Sequence, residues 1–109
     1  MLDVINKHRR LNARNTIERA NGLMSEYCFS HCLAMAKQHN VYHAPVCYLQ
    51  GWSEAVGIRV YDNNWCDEMI LDFLGSGEGH RSVILDSNEI AYAYYIDGPM
   101  VYTCIRGKV

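Results

Sequence analysis

The sequence lacks the features that mark nucleic-acid-binding proteins and membrane-spanning proteins. Its 10 Lys and Arg residues are outnumbered by 12 Asp and Glu, for a formal net charge of −2. It therefore has no basic footprint of the kind that nucleic-acid-binding proteins carry. No apolar run approaches the roughly 20 residues that cross a bilayer, so we expect no membrane span. Residues 1–15 also lack the ordered charged and apolar regions of a signal peptide, and we expect none.

Short motifs with a known catalytic mechanism are also missing. The sequence contains neither H-E-x-x-H nor C-x-x-C. The stretch "GSGEGH" (residues 75–80) lacks the Gly-Lys-Ser/Thr ending of a phosphate-binding loop. It is not the G-x-S-x-G nucleophile elbow either. Any site must therefore be assembled from residues that folding brings together.

The cysteines favour packing over metal binding. There are five, so they cannot all pair within one chain. Cys28 and Cys32 are four residues apart on a predicted helix and share one of its faces. This spacing suits a metal ion, but no second Cys or His pair with ligand spacing follows. We interpret the two as buried free thiols, which pack as small apolar groups.

The 109 residues are enough for one domain in which helices cover a small antiparallel sheet. Apolar spacing predicts helices over 2–12, 23–40 and 63–75, and we interpret the basic run 7–10 as a solvent-facing surface. Runs rich in β-branched and aromatic residues on either side of Asp97-Gly98-Pro99 predict a hairpin. We expect one further strand between Val46 and Tyr61, with a short strand possible at 46–49, and read 81–89 as an apolar stretch and turn.

Four titratable residues lie at element boundaries, where functional sites are commonly built. They are His43, Glu54, Glu78 and His80. Two histidines and one or two carboxylates from separate loops suit a divalent metal such as zinc. The same groups suit a general acid–base set, and the sequence does not separate the two. A polar turn is the alternative for Glu78 and His80.

Five stretches follow one another in a distinctive order. They are "INKHRRLN" (5–12), the series Leu23, His31, Met35-Ala36 and His43, "WSEAV" (52–56), "FLGSGEGHRSVIL" (73–85) and "MVYTCI" (100–105). In this order they resemble the CAP superfamily of cysteine-rich secretory, antigen 5 and pathogenesis-related proteins. The short bacterial members, the SCP-like domains, are the most similar. The resemblance covers nearly the whole chain and implies a single domain over residues 1–109.

The resemblance also implies a fold and a site. The family fold is an α+β three-layer α-β-α sandwich with a small antiparallel sheet. In the family, two histidines and two acids line a central cleft, and some members bind a divalent metal there. His43 and His80 match the metal-binding histidines, and Glu54 matches the first acid. Glu78 is the second acid, one residue later than in the eukaryotic Glu-x-Gly-His pattern.

Three functions follow as expectations from the resemblance. The first is a binding module for a peptide, lipid or protein partner, with a cleft that takes a divalent metal, zinc being the example. Tyr42, Tyr48 and Trp52 are candidates to line its groove, although core packing is the commoner role of such aromatics. The second is a metal-dependent, protease-like hydrolase with Glu54 and Glu78 as its catalytic residues. The third is a structural domain with a vestigial cleft. Most relatives are extracellular, which contrasts with the expected lack of a signal peptide.

Overall fold

Five helices and three strands make up the fold of the computed structural model, which describes all residues 1–109. In chain order the elements are α1 (Leu2–Leu11), α2 (Met24–Gln38), α3 (Val46–Leu49), β1 (Ser53–Val60), α4 (Trp65–Gly75), α5 (Glu78–Leu85), β2 (Glu89–Asp97) and β3 (Met100–Lys108). None of the five helices has the length and apolar character needed to cross a lipid bilayer.

The sheet is antiparallel, with strand order β1-β3-β2. The predicted hairpin is confirmed, because β2 pairs directly with β3 and Asp97 lies opposite Met100. Gly98 opens the connecting turn with a φ of +58°, a conformation that glycine adopts at little cost. The further strand is also confirmed, as β1. Because β3 lies between the other two, every pairing in the sheet involves it.

Helices cover both faces of this sheet and form three layers. Helix α2 packs on one face through a buried stripe of Met24, Cys28, Cys32 and Met35. Helices α1, α4 and α5 pack on the other face, where Ile5, Ile70 and Ile84 are among the buried residues. The α+β three-layer sandwich with a small antiparallel sheet is therefore confirmed.

Two predictions of secondary structure are wrong. Residues Val46–Leu49 form the short helix α3 instead of a strand, and Pro45 precedes it with a fixed backbone angle that suits a helix start. The apolar stretch after "GSG" is likewise the C-terminal part of helix α5 and not an irregular segment. Val83, Ile84 and Leu85 are almost fully buried. Contact with the sheet and with α4 stabilises a helix too short to be stable alone.

The basic run 7–10 is not a solvent-facing surface as a whole. Residues His8 and Arg9 are buried, at 5% and 6% exposure. The Arg9 guanidinium donates hydrogen bonds to the carbonyls of Asn15 and Ile84, each at 2.7 Å. His8 contacts Asp67 at the start of α4, at 2.8 Å. The side chains of His8 and Arg9 thus connect α1 to α4, to α5 and to the segment that follows α1.

We expect Arg9→Ala to lower the free energy of unfolding by about 2–4 kcal/mol, because it leaves two carbonyls without their charged donor. Its neighbour Arg10 is exposed and provides a matched control on the same helix. Arg10→Ala is expected to change the stability by less than about 0.5 kcal/mol. Urea unfolding followed by circular dichroism measures both variants. Equal effects would contradict a structural role for Arg9.

Candidate functional site

The site is built on a buried ion pair between two neighbouring strands. Glu54 on β1 lies directly opposite Arg106 on β3 in the antiparallel register, so both side chains extend from the same face of the sheet. Glu54 Oε2 accepts from Arg106 Nε at 3.0 Å and lies 2.9 Å from Arg106 Nη2. Both side chains are almost completely excluded from solvent, at 1% and 2% exposure.

The second carboxylate oxygen of Glu54 holds the loop that carries His43. Glu54 Oε1 accepts from His43 Nδ1 and from the Ala44 backbone N–H, each at 3.0 Å. A carboxylate only accepts hydrogen bonds, so His43 carries a proton on Nδ1. Its Nε2 is left without a protein partner, and its side chain is 57% exposed. Glu54 therefore orients the imidazole and leaves one ring nitrogen facing outward.

His80 lies in the first turn of α5 and is held in a similar way. Its Nδ1 is 2.7 Å from the hydroxyl of Ser76, which also contacts the Phe73 carbonyl at 3.5 Å. When the hydroxyl donates to that carbonyl, it accepts from Nδ1–H of His80, and Nε2 is again left free. The Phe73 ring packs against the imidazole, with centroids 5.7 Å apart. Helix α5 thus presents His80 from the layer opposite α2.

The two histidines meet at the edge of the sheet. The ring centroids of His43 and His80 are 6.2 Å apart, and their planes are inclined by 39°. Glu54 contacts the first ring, so the structure brings together three of the four sequence-predicted residues. Glu78, at the N-terminus of α5, is exposed and makes no hydrogen bond or ion pair. A carboxylate in that place interacts favourably with the helix dipole.

Three buried thiols lie beneath the ion pair, and two of them, Cys32 and Cys104, have raised pKa values. Cys104 Sγ contacts Glu54 Oε2 at 3.7 Å, and Cys28 and Cys32 belong to the same buried cluster. The hydrogen bond with Cys28, together with burial, raises the pKa of the Cys104 thiol well above its usual range. Burial raises the pKa of Cys32 to about 12. Protonated thiols are poor metal ligands and nucleophiles, which agrees with the packing role expected for Cys32. The hydrogen bond with Cys104 lowers the pKa of Cys28, and its complete burial is what agrees with a packing role.

The donor set at this site is small. No cluster of three or more His, Cys, Asp and Glu side chains is arranged to hold a metal ion. What the structure offers is a pair of imidazoles, His43 and His80, each anchored through Nδ1. Imidazole is a common zinc ligand, and a hydrogen-bonded second ring nitrogen is typical of metal-binding histidines.

Sequence reasoning missed two residues that support the site. Arg106 supplies the countercharge of Glu54, and Ser76 fixes the ring of His80. A signal for Arg106 was present, because it is the only charged residue in the run from Met100 to Gly107. A lone charge inside a predicted buried strand indicates an ion pair. Nothing in the sequence indicated that Ser76, four residues before His80, contacts that ring.

Comparison with protein-family models finds no matching family, and comparison with curated proteins finds no match. The function is therefore inferred from the residues and their geometry.

We expect Glu54→Gln to lower the free energy of unfolding by about 3–5 kcal/mol, because it leaves the Arg106 charge buried without its partner. Glu78→Gln is the matched control, since it makes the same change at an exposed carboxylate. It is expected to alter stability by less than about 0.5 kcal/mol. Chemical denaturation of both variants measures the difference. A Glu54→Gln protein as stable as the control would show that the ion pair does not hold the loop and strand together.

Proposed function

We propose that this protein is a CAP-like binding module whose His43–His80 pair takes a divalent metal ion such as zinc. The observation that carries the proposal is the common anchoring of the two rings: each Nδ1 has a protein partner and each Nε2 is free. Two imidazoles on one tetrahedral zinc ion have centroids roughly 5–6 Å apart, given Zn–N bonds near 2.0 Å. The centroids of these two rings are 6.2 Å apart, slightly more than that separation.

The supporting residues fit such a role. The Glu54 carboxylate accepts from His43 Nδ1–H, which fixes the tautomer and the orientation of the ring. Ser76 orients His80 through the corresponding atom. With two protein ligands, the remaining positions on the ion are left for water or for a ligand. A bound zinc ion would supply Lewis acidity to an oxygen of that ligand.

Binding is favoured over hydrolysis by the surroundings of Glu54. Its side chain is 1% exposed, and both oxygens already accept hydrogen bonds. A general base must reach the proton that it removes, directly or through one water. Glu54 is better placed to position His43 than to contact a substrate. The partner of the module is a peptide, lipid or protein in this proposal, and the hydrolase and the structural domain are the competing functions.

The metal is tested by zinc titration in a calorimeter at neutral pH. His43→Asn and His80→Asn are each expected to abolish the binding heat or to weaken binding at least tenfold, since each removes one of two ligands. His39→Asn is the matched control. His39 is an exposed histidine at the end of α2 with a φ of +50°, a conformation that asparagine tolerates.

The outcomes separate the competing functions. Zinc binding by the wild type and by His39→Asn, with loss in both site variants, supports the proposal. Failure of the folded wild type to bind zinc would overturn the metal site and leave the structural domain. Metal-dependent cleavage of peptide or ester substrates that disappears in His80→Asn would favour the hydrolase instead.

A further inference from the structure

A separate cavity adjoins the ion pair on the α2 side of the sheet. Its volume is about 400 Å³, which lies within the range of small-molecule sites. Its walls come from α2, from the loop after it and from α3. The lining residues are Tyr27, His31, Tyr42, Tyr48 and Arg106, with small or uncharged residues between them. Tyr42 and Tyr48, which the sequence suggested for a groove beside the histidine cleft, line this separate cavity, whereas Trp52 packs against the buried cluster below α2.

Four aromatic rings, those of Tyr27, His31, Tyr42 and Tyr48, line this cavity. His31 donates from Nε2 to the Tyr42 carbonyl at 2.6 Å, and the two rings meet edge to face with centroids 5.2 Å apart. This contact fixes one wall. Tyr27 and Tyr48 contribute two further rings that are partly exposed, at 43% and 66%. Flat aromatic ligands pack well against such rings in offset or edge-to-face arrangements.

Arg106 gives the cavity a guanidinium whose hydrogen bonds are incomplete. Glu54 engages Nε and Nη2 of the guanidinium, whereas Nη1 contacts only the Met24 sulfur, at 3.3 Å. A thioether is a weak acceptor, and a guanidinium has five N–H donors. A buried cation with unused donors therefore lies in the wall. Its carboxylate partner, Glu54, does not line the cavity, and no other carboxylate does.

We infer that this cavity binds a small aromatic carboxylate, with its acid group on the free edge of Arg106 and its ring among the tyrosines. A carboxylate accepts charge-assisted hydrogen bonds from a guanidinium, which are stronger than neutral ones. The Arg106 side chain is only 2% exposed, so such a bond would form in a region with little competing water. The inference does not depend on the metal, because His43 and His80 do not line the cavity.

The test is calorimetric titration with 2-naphthoate in the presence of a metal chelator. Two probes serve as comparisons: 2-naphthalenemethanol keeps the rings without the charge, and octanoate keeps the charge without the rings. Each is expected to bind at least about tenfold more weakly than 2-naphthoate, because each loses one of the two recognised groups. Failure of 2-naphthoate to bind the wild type at about 1 mM would overturn the inference. Equal affinity for 2-naphthalenemethanol would overturn the role of Arg106, and equal affinity for octanoate would overturn that of the aromatic wall.

A pair of neighbouring variants on α2 locates the binding without disturbing the ion pair. Ala34 lines the cavity, so Ala34→Phe fills part of it and is expected to weaken 2-naphthoate binding at least tenfold. Leu33 lines a different depression and is partly exposed, so Leu33→Phe is the matched control and is expected to bind normally. Unchanged binding by a folded Ala34→Phe protein would place the probe elsewhere and overturn the inference. Zinc binding measured on the same preparations separates this result from the outcome at the histidine pair.

Discussion

The buried pair between Glu54 and Arg106 is the interaction on which the candidate site depends. Removing two charges from water is costly, and only mutual attraction and further hydrogen bonds offset that cost. Here the further bonds come from His43, Ala44 and Cys104, all donating to the same carboxylate. One side chain thus joins strand β1, strand β3 and the loop after α2. The buried charge of Glu54 also disfavours other registers between β1 and β3, because a shift in register would separate it from Arg106.

The position of β1 at the edge of the sheet explains why the two histidines can meet. Glu54 points to the face covered by α2, whereas α5 packs on the opposite face with Val83, Ile84 and Leu85. Only at an edge strand do the two helical layers come close enough for side chains from both to touch. His43 reaches this edge from one layer and His80 from the other. The pair is therefore a product of the three-layer arrangement and not of either loop alone.

The pattern of apolar residues was sufficient for most of the fold. The period of three to four residues located α1, α2 and α4, and the dense β-branched and aromatic runs located the hairpin. Helix α5 was missed because eight residues that start with a glycine-rich loop carry little helical signal, and burial against the sheet provides the rest. The burial of Arg9 was missed for a related reason. Its partners are backbone carbonyls, one of them 75 residues away, and every residue type has a backbone carbonyl, so the sequence does not indicate which one is bound.

For the site as well, residue types and positions could be predicted from the sequence, whereas contacts could not. His43, Glu54 and His80 could be selected because they are titratable and lie between elements, and the family resemblance supplied their order. Their mutual contacts could not be predicted, since convergence of three segments depends on the register between β1 and β3. Arg106 is visible in retrospect as a charge in an apolar strand. Ser76 and the aromatic cavity depend on packing details that no spacing rule encodes.

Strand β3 is both the centre of the sheet and the last element along the described chain. The strands β1 and β2 do not pair with each other, so neither has its partner strand until residues 100–108 have been synthesised. A nascent chain would therefore contain all five helices and both outer strands before β3, the strand with which both pair, has been synthesised. Glu54 is synthesised 52 residues before Arg106, the residue that supplies its countercharge. The sheet, and the Glu54–Arg106 pair within it, can therefore form only after β3 has been synthesised.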